Sequence, residues 1–142
     1  MKPTALIIDD SPVSRAILRR GLVKGGVQVV AEEMAGERAL ELYEALCPTL
    51  VFLDIVLPGV DGVTTALEIL TKHPEAKIVI CSALTDREKI LACRQAGVTQ
   101  FMLKPFSIEK VATLAEALTK RSFLAQRQEA SIARTAVAAS AA

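Results

Sequence analysis

Five short apolar runs alternate with five longer stretches patterned as helices, and this alternation constrains the fold more than any other feature of the sequence. Because the runs are apolar along almost their whole length, each strand is expected to be buried on both faces. Helices that connect such strands by right-handed crossovers cover both faces of a parallel sheet. The sequence therefore predicts an α/β fold with a doubly wound, five-stranded parallel sheet in the order 2-1-3-4-5. The predicted strands are Ala5–Ile8, Val27–Ala31, Leu50–Leu53, Lys77–Cys81 and Gln100–Leu103.

Polar residues at the starts of apolar helical patterns indicate where the helices begin. Ser11, Asp86 and Ser107 are each predicted to cap the amino end of a helix. In the predicted helix Val63–Lys72, three apolar residues at helical spacing are expected to face the core: Ala66, Leu67 and Leu70.

The composition is that of an ordinary globular domain. The chain has 142 residues and a formal net charge of +1, so no general attraction to nucleic acid or to a membrane surface is expected. It has no apolar run long enough to span a bilayer and no secretory signal region at its start. Cys47, Cys81 and Cys93 lie in apolar surroundings and are predicted to be buried, reduced thiols of a cytoplasmic protein.

Charged and polar residues follow the predicted strands at the points where four of them end. Asp9 and Asp10 follow the first strand, Asp54 the third, Ser82 the fourth and Lys104 the fifth. The carboxyl ends of parallel strands lie at one edge of a sheet, so these side chains are expected to converge. Three carboxylates gathered there would repel one another unless a cation lay among them. Oxygen ligands without a nearby histidine or thiol favour a hard ion such as Mg²⁺.

A pocket with a metal ion, an ammonium group and a hydroxyl donor is suited to receive a phosphoryl group. Asp54 lies centrally among the predicted strand ends and is the natural nucleophile, which would form an acyl phosphate. Taken alone, each residue also has a structural explanation: the two aspartates as turn residues, Ser82 as a cap and Lys104 as a surface charge. Their occurrence together at neighbouring strand ends favours the functional interpretation.

The same residues resemble the receiver domain of two-component response regulators, which has a flavodoxin-like fold. The resemblance covers about residues 4–120. It is carried by the motifs Ile8-Asp9-Asp10, Leu53-Asp54, Pro58-Gly59, Asp61-Gly62, Ser82-Ala83 and Lys104-Pro105-Phe106.

The resemblance implies roles for the individual residues. Asp54 would accept phosphate from a sensor histidine kinase or phosphotransfer protein, or from a small phosphodonor. Ser82 and Phe101 would move toward the phosphorylated site as a switch, whereas the alternative for Phe101 is a permanently buried core residue. The implied Mg²⁺ ligands are Asp10, Asp54 and the backbone carbonyl of Val56, with Asp9 acting through water.

Two apolar residues stand where receiver domains often carry polar or charged side chains. Val56 lies two residues after Asp54, and Leu84 two residues after Ser82. In this family, these positions flank the path of water to the phosphoryl group. We therefore predict that the phosphorylated state of this chain is long-lived.

The domain organisation predicted from the sequence is a receiver domain over residues 1–121 and an Ala-rich tail over residues 122–142, with no output domain. Three alternatives stay open for the tail: a frayed end, a helical extension that forms a homodimer through the last helix, or a linker to a further domain.

The function predicted from the sequence is that of a single-domain signalling protein. Phosphorylation would change the face formed by the fourth helix, the fifth strand and the fifth helix, for recognition by a downstream protein partner. The chain would promote its own phosphorylation and dephosphorylation without being an enzyme in the ordinary sense. The alternative is a phosphatase or phosphotransferase with an aspartyl nucleophile. Val56 cannot supply the general acid such an enzyme needs, and no insertion is long enough to form a cap over substrate.

Overall fold

The computed structural model describes residues 2–120 of the chain, in which strands and helices alternate. The strands are β1 (Thr4–Ile8), β2 (Gln28–Glu33), β3 (Leu50–Asp54), β4 (Ile78–Ser82) and β5 (Gln100–Leu103). The helices are α1 (Pro12–Lys24), α2 (Ala39–Leu46), which follows a 3₁₀ turn at Gly36–Arg38, α3 (Gly62–Lys72) and α4 (Arg87–Ala96). A fifth helix, α5, occupies residues 108–120 of the described chain. The predicted tail, 122–142, lies outside the described residues.

The strands form one parallel sheet in the order β2-β1-β3-β4-β5, which confirms the predicted fold class and topology. This order places the carboxyl ends of β1, β3 and β4 side by side, with β5 next to β4. Side chains that follow these strands therefore share one edge of the sheet, which we call the carboxyl edge. The opposite edge, where the strands begin, is called the amino edge.

The core has two layers, one on each face of the sheet, because successive strand residues point to opposite faces. Ala5 and Ile7 of β1 pack on the face covered by α1 and α5, whereas Leu6 and Ile8 pack on the face covered by α2, α3 and α4. All four side chains are fully buried. Burial on both faces explains why the strands are apolar at consecutive positions.

β2 is shifted along the chain relative to its prediction and contains an irregularity. Val27 belongs to the turn after α1, where its N–H donates to the carbonyl of Leu22 at 2.8 Å, and the strand continues to Glu33. Ala5 pairs with Val29 but Leu6 pairs with Ala31, so the register against β1 shifts by one residue at Val30. Such a bulge changes which face the following side chains occupy.

Two predicted core positions are wrong. Leu67 of α3 is 51% exposed, because the inward stripe of this helix runs through Thr65, Ala66 and Ile69 instead. Cys47 is exposed because it ends α2 in a left-handed conformation, with φ of 46°, outside the core. Cys81 and Cys93 are buried as predicted, and all three cysteines are free thiols.

Two of the three predicted helix caps are confirmed. The hydroxyl of Ser11 accepts a hydrogen bond from the N–H of Ser14 at 3.2 Å, and that of Ser107 accepts one from the N–H of Lys110 at 3.1 Å. Asp86 precedes α4, but its carboxylate accepts from the N–H of Ala83 at 3.1 Å and makes no side-chain cap on the helix. Among the described residues, no helix is long and apolar enough to cross a membrane.

Candidate functional site

Three aspartates meet at the carboxyl edge of the sheet. Asp54 is the last residue of β3 and is 6% exposed, and Asp9 follows β1 and is fully buried. Asp10 is exposed at the rim. One carboxylate oxygen from each lies within 4.8 Å of the others. Within residues 2–120, this is the one cluster of three potential metal-binding side chains that lie so close together.

Lys104 joins this cluster from the end of β5. Its Nζ donates hydrogen bonds to Asp54 Oδ2 at 3.0 Å and to Asp9 Oδ2 at 3.2 Å. The backbone N–H of Lys104 donates to the carbonyl of Ser82 at 2.8 Å, which fixes the end of β5 against the end of β4. The lysine therefore bridges two buried carboxylates.

The charges of this cluster are only partly balanced. Burial raises the pKa of Asp54 above its ordinary value, and the charge of Asp9 adds to the rise, although the hydrogen bond from Lys104 opposes it. Burial lowers the pKa of Lys104, but its hydrogen bond with Asp54 and the charges of both aspartates outweigh that effect, so its pKa is raised. The lysine therefore stays protonated, yet its single charge does not offset the burial of Asp54 beside Asp9. A second cation would favour the ionised form of Asp54.

Magnesium fits this set of donors. Hard divalent ions prefer carboxylate and carbonyl oxygens, and Mg²⁺ commonly uses one or two carboxylates together with water. Asp9 accepts hydrogen bonds at both oxygens, from the N–H of Ser11 at 2.9 Å and from Lys104, so its carboxylate is fixed beside that of Asp54. The N–H of Val56 donates to Asp54 Oδ1 at 3.2 Å, so the Val56 backbone lies beside the carboxylate.

Ser82 adds a buried hydroxyl to the carboxyl edge, beside the charged cluster. It ends β4, is 1% exposed and follows Cys81, the residue paired with Asp54 across β3 and β4. Among the described residues, its Oγ is the buried side-chain oxygen or nitrogen without a hydrogen-bond partner. A buried hydroxyl without a partner costs about 1–3 kcal/mol, so an acceptor that reached it would be bound favourably.

Phe101, Val56 and Leu84, the other residues singled out in the sequence, lie in different environments. Phe101 of β5 is half-buried against the α2–α3–α4 face, and the guanidinium carbon of Arg94 lies 5.4 Å from the centroid of its ring. This position leaves both predictions for Phe101 open. Val56 is 48% exposed and Leu84 is 69% exposed, so both present apolar surface to solvent at the carboxyl edge.

Sequence reasoning missed Arg15. This residue lies in the first part of α1, and its Nη1 donates to the backbone carbonyl of Asp9 at 2.7 Å. The available signal was its position one helical turn after the Ser11 cap. Helical side chains lean toward the amino end of their helix, which directs Arg15 back over Asp9.

The chain matches known proteins in sequence and in fold. A family model for the response regulator receiver domain matches residues 5–116. The chain is 39% identical over 106 residues to the chemotaxis protein CheY of Bacillus subtilis (strain 168), a match that covers 75% of this chain and 88% of that protein. It is 35% identical over 122 residues to the chemotaxis protein CheY of Thermotoga maritima, covering 86% and 99%.

A solved structure is similar in fold as well. The CheX–CheY–BeF₃–Mg²⁺ complex from Borrelia burgdorferi aligns with a TM-score of 0.73 and 27% identity, covering 82% of this chain and 87% of that chain. The family model spans most of the sequence and includes Asp9, Asp54, Ser82 and Lys104. The chain therefore belongs to the response regulator receiver domain family, whose members are signalling proteins of two-component systems.

Proposed function

We propose that this receiver accepts a phosphoryl group on Asp54 from a sensor histidine kinase or a phosphotransfer protein. The observation that carries the proposal is the Asp54 carboxylate, buried at the carboxyl edge and hydrogen bonded to Lys104 at 3.0 Å. An oxygen of Asp54 attacks the phosphorus of a phosphohistidine, the P–N bond breaks, and the imidazole nitrogen keeps the electron pair and takes up a proton from solution. The products are an acyl phosphate and neutral histidine.

Lys104 and Ser82 prepare the site for the new negative charge. Lys104 is held beside Asp54 and Asp9 and supplies a fixed positive charge for the phosphoryl oxygens. Ser82 supplies a hydroxyl whose hydrogen-bonding capacity is unused among the described residues. Its movement toward the phosphoryl group would give that hydroxyl an acceptor.

The metal in this proposal is Mg²⁺. Asp10, Asp54 and the carbonyl of Val56 would hold it directly, and Asp9 would hold it through water. When bound, the ion neutralises charge on the transferring phosphoryl group. The clustered carboxylates and the raised pKa of Asp54 support this assignment. The presence of Mg²⁺ with BeF₃ in the CheX–CheY complex of Borrelia burgdorferi supports it by analogy.

The output in this proposal is a change in the face formed by α4, β5 and α5, recognised by a downstream protein partner. Phosphorylation draws Ser82 toward the site, and Phe101 turns into the space that the hydroxyl leaves. Arg94 of α4 contacts the Phe101 ring, so a change of this ring would reach α4. The proposed setting is the cytoplasm, without direct contact to nucleic acid or membrane. The predicted homodimer would form through a helical extension of the last helix, and that extension, over residues 122–142, lies outside the described residues.

Incubation of the protein with acetyl phosphate and Mg²⁺, followed by intact-mass measurement, tests the proposal. We expect one phosphoryl adduct in the parent and none in Asp54→Asn. Omission of Mg²⁺ should reduce the adduct strongly. An adduct that survives in Asp54→Asn, or no adduct in the parent, would refute the assignment. A phosphatase would instead release many equivalents of phosphate from a small phosphomonoester, and the same samples can be assayed for that turnover.

A further inference from the structure

Arg15 connects the loop after β1, which carries Asp9 and Asp10 and is called the acidic loop, to β2. Its Nη1 donates to the carbonyl of Asp9 at 2.7 Å, and its Nε lies 3.6 Å from Glu32 Oε1 on β2. Only 17% of its side chain is exposed. A guanidinium group presents its donors in a fixed plane, so contacts on two sides determine its orientation more strictly than an ammonium would allow.

The hydrogen bond to the Asp9 carbonyl has a direct effect on Asp10. This carbonyl belongs to the peptide group that joins Asp9 to Asp10, and the peptide group is planar. Asp9 is fixed on its other side, because its N–H donates to the carbonyl of Glu33 at 3.0 Å. With the plane of the Asp9–Asp10 peptide set by Arg15, the direction in which Asp10 leaves the strand is set as well.

Arg15 is itself held by an ion-pair network between α1 and β2. Glu32 accepts from Arg19 Nη1 at 2.7 Å through one oxygen and faces Arg15 through the other. The carboxylate of Glu32 therefore lies between two arginines one helical turn apart. This arrangement keeps the guanidinium of Arg15 under the acidic loop rather than in solvent.

We infer that Arg15 is a positioning residue for the magnesium site, acting on Asp10 through the Asp9–Asp10 peptide without touching the ion. The inference rests on the proposed role of Asp10 as a Mg²⁺ ligand. It assigns the network of Arg15, Glu32 and Arg19 to the site, although the Glu32 carboxylate faces the two arginines and does not belong to the cluster of three aspartates.

The direction in which Mg²⁺ affinity changes on removal of Arg15 distinguishes a positioning role from a purely electrostatic one. Arg15 is a cation near a cation site, so its charge alone opposes Mg²⁺, and removal of the charge would tighten binding. Loss of a residue that orients a ligand weakens binding, and such outer residues commonly contribute about tenfold or more in metal affinity. The two effects therefore have opposite signs.

The experiment is a calorimetric Mg²⁺ titration of the unphosphorylated protein. We expect Arg15→Ala to weaken Mg²⁺ binding by about tenfold. Arg15→Lys keeps the charge but loses the planar fork, and should give an intermediate affinity. Arg20→Ala removes an exposed arginine of the same helix and should leave the affinity unchanged or slightly tighter. Circular dichroism establishes that each variant is folded at the titration temperature.

A spectroscopic measurement tests whether Arg15 orients the Asp10 backbone in the absence of metal. In amide ¹H–¹⁵N spectra of the metal-free protein, Arg15→Ala should shift the Asp10 and Ser11 signals far more than Arg20→Ala does. If the parent binds Mg²⁺ and Arg15→Ala binds it equally or more tightly, the inference is overturned and the proposed site stands. If the parent binds no Mg²⁺, both the site and the inference are overturned.

Discussion

The two edges of the sheet are built with opposite polarity. At the carboxyl edge, Asp9 and Asp54 are buried while Val56 and Leu84 stand in solvent. At the amino edge there is a cleft of about 240 Å³. Its walls include two buried apolar residues, Ile78 of β4 and Val98 of the loop before β5, whereas the neighbouring polar residues Lys77 and Thr99 are exposed. The amino edge follows the usual distribution, in which apolar side chains are buried and charged side chains are exposed. The carboxyl edge reverses it.

This contrast indicates that the amino edge contributes mainly to stability and the carboxyl edge mainly to function. Buried charge without full compensation lowers stability, so a site that holds it is retained for another reason. We expect changes at the amino edge to affect the free energy of unfolding and to leave the site intact. Changes at the carboxyl edge should affect metal binding, phosphorylation or the pH dependence of stability.

Among the changes that compare the two edges, the largest effect is expected at the amino edge. Ile78 is 3% exposed, and Ile78→Ala should lower the free energy of unfolding by about 3 kcal/mol, because it removes buried apolar surface and leaves a cavity. Urea unfolding followed by circular dichroism measures this loss. Mg²⁺ affinity should be unchanged where the variant is folded. Lys77→Ala is the matched exposed control, and a changed Mg²⁺ affinity in Ile78→Ala would contradict the separation of the two edges.

Lys104→Ala should lower the free energy of unfolding at neutral pH without Mg²⁺, by about 2 kcal/mol, because it leaves two buried carboxylates without their partner. The loss should shrink as the pH falls through the pKa of Asp54, which burial raises, since a protonated Asp54 no longer needs a cation. In the parent as well, the raised pKa means that ionisation of Asp54 lowers stability as the pH rises.

Urea unfolding in EDTA at neutral and mildly acidic pH measures this effect. Lys72→Ala removes an exposed lysine and serves as the control. An equal loss for Lys104→Ala at both pH values would show that the stabilising contact does not depend on ionised carboxylates.

Leu84→Glu tests whether the apolar residues beside the site, Val56 and Leu84, slow the loss of the phosphoryl group. We expect the phosphorylated protein to lose its phosphoryl group roughly tenfold faster, about 1.4 kcal/mol in the barrier, because a carboxylate can orient attacking water where leucine excludes it. The rate is measured by intact mass after removal of acetyl phosphate. Leu91→Glu, at an exposed leucine of α4, should keep the parent rate. An unchanged or slower rate in Leu84→Glu would remove the support for a long-lived phosphorylated state.

The smallest effect on the free energy of unfolding is expected for exposed apolar residues at the rim of the carboxyl edge. Val13 is 69% exposed, and Val13→Ser should change the free energy of unfolding by less than about 0.5 kcal/mol. Leu18, on the same helix, is 1% exposed, and Leu18→Ser should destabilise the protein severely. Thermal unfolding compares the two. A large loss for Val13→Ser would mean that the rim contributes to the core and that the edges differ less than proposed.

The strands and their order were predictable because both depend on local composition and on general rules for parallel sheets. The site followed from the topology, which brings Asp9, Asp54 and Lys104 to one edge without any knowledge of side-chain conformation. Their roles in phosphoryl transfer and in metal binding stay predictions. The experiments above test them directly.

The sequence was less informative where a residue's position depends on distant parts of the chain. Leu67 and Ile69 of α3 are both apolar, and only the packing of this helix on the sheet selects Ile69 for the core. Asp86 has a choice of backbone partners, and the loop after β4 supplies Ala83. Arg15 is one of several arginines in α1, and its contact with Glu32 depends on how β2 pairs with β1.

The extra residue in β2 decides which of two glutamates reaches the arginines of α1. Val29 packs on the α1 side of the sheet and Ala31 on the opposite side, so alternation brings Glu32 to the α1 side, where the arginines lie, and Glu33 toward Arg38. A strand that kept Val30 in regular alternation would exchange the faces of the two glutamates, whereas deletion of Val30 removes the extra residue and keeps Glu32 on the α1 side. Deletion of Val30 should therefore preserve the contact between Glu32 and Arg15, and a change that straightened the strand with Val30 in place should remove it.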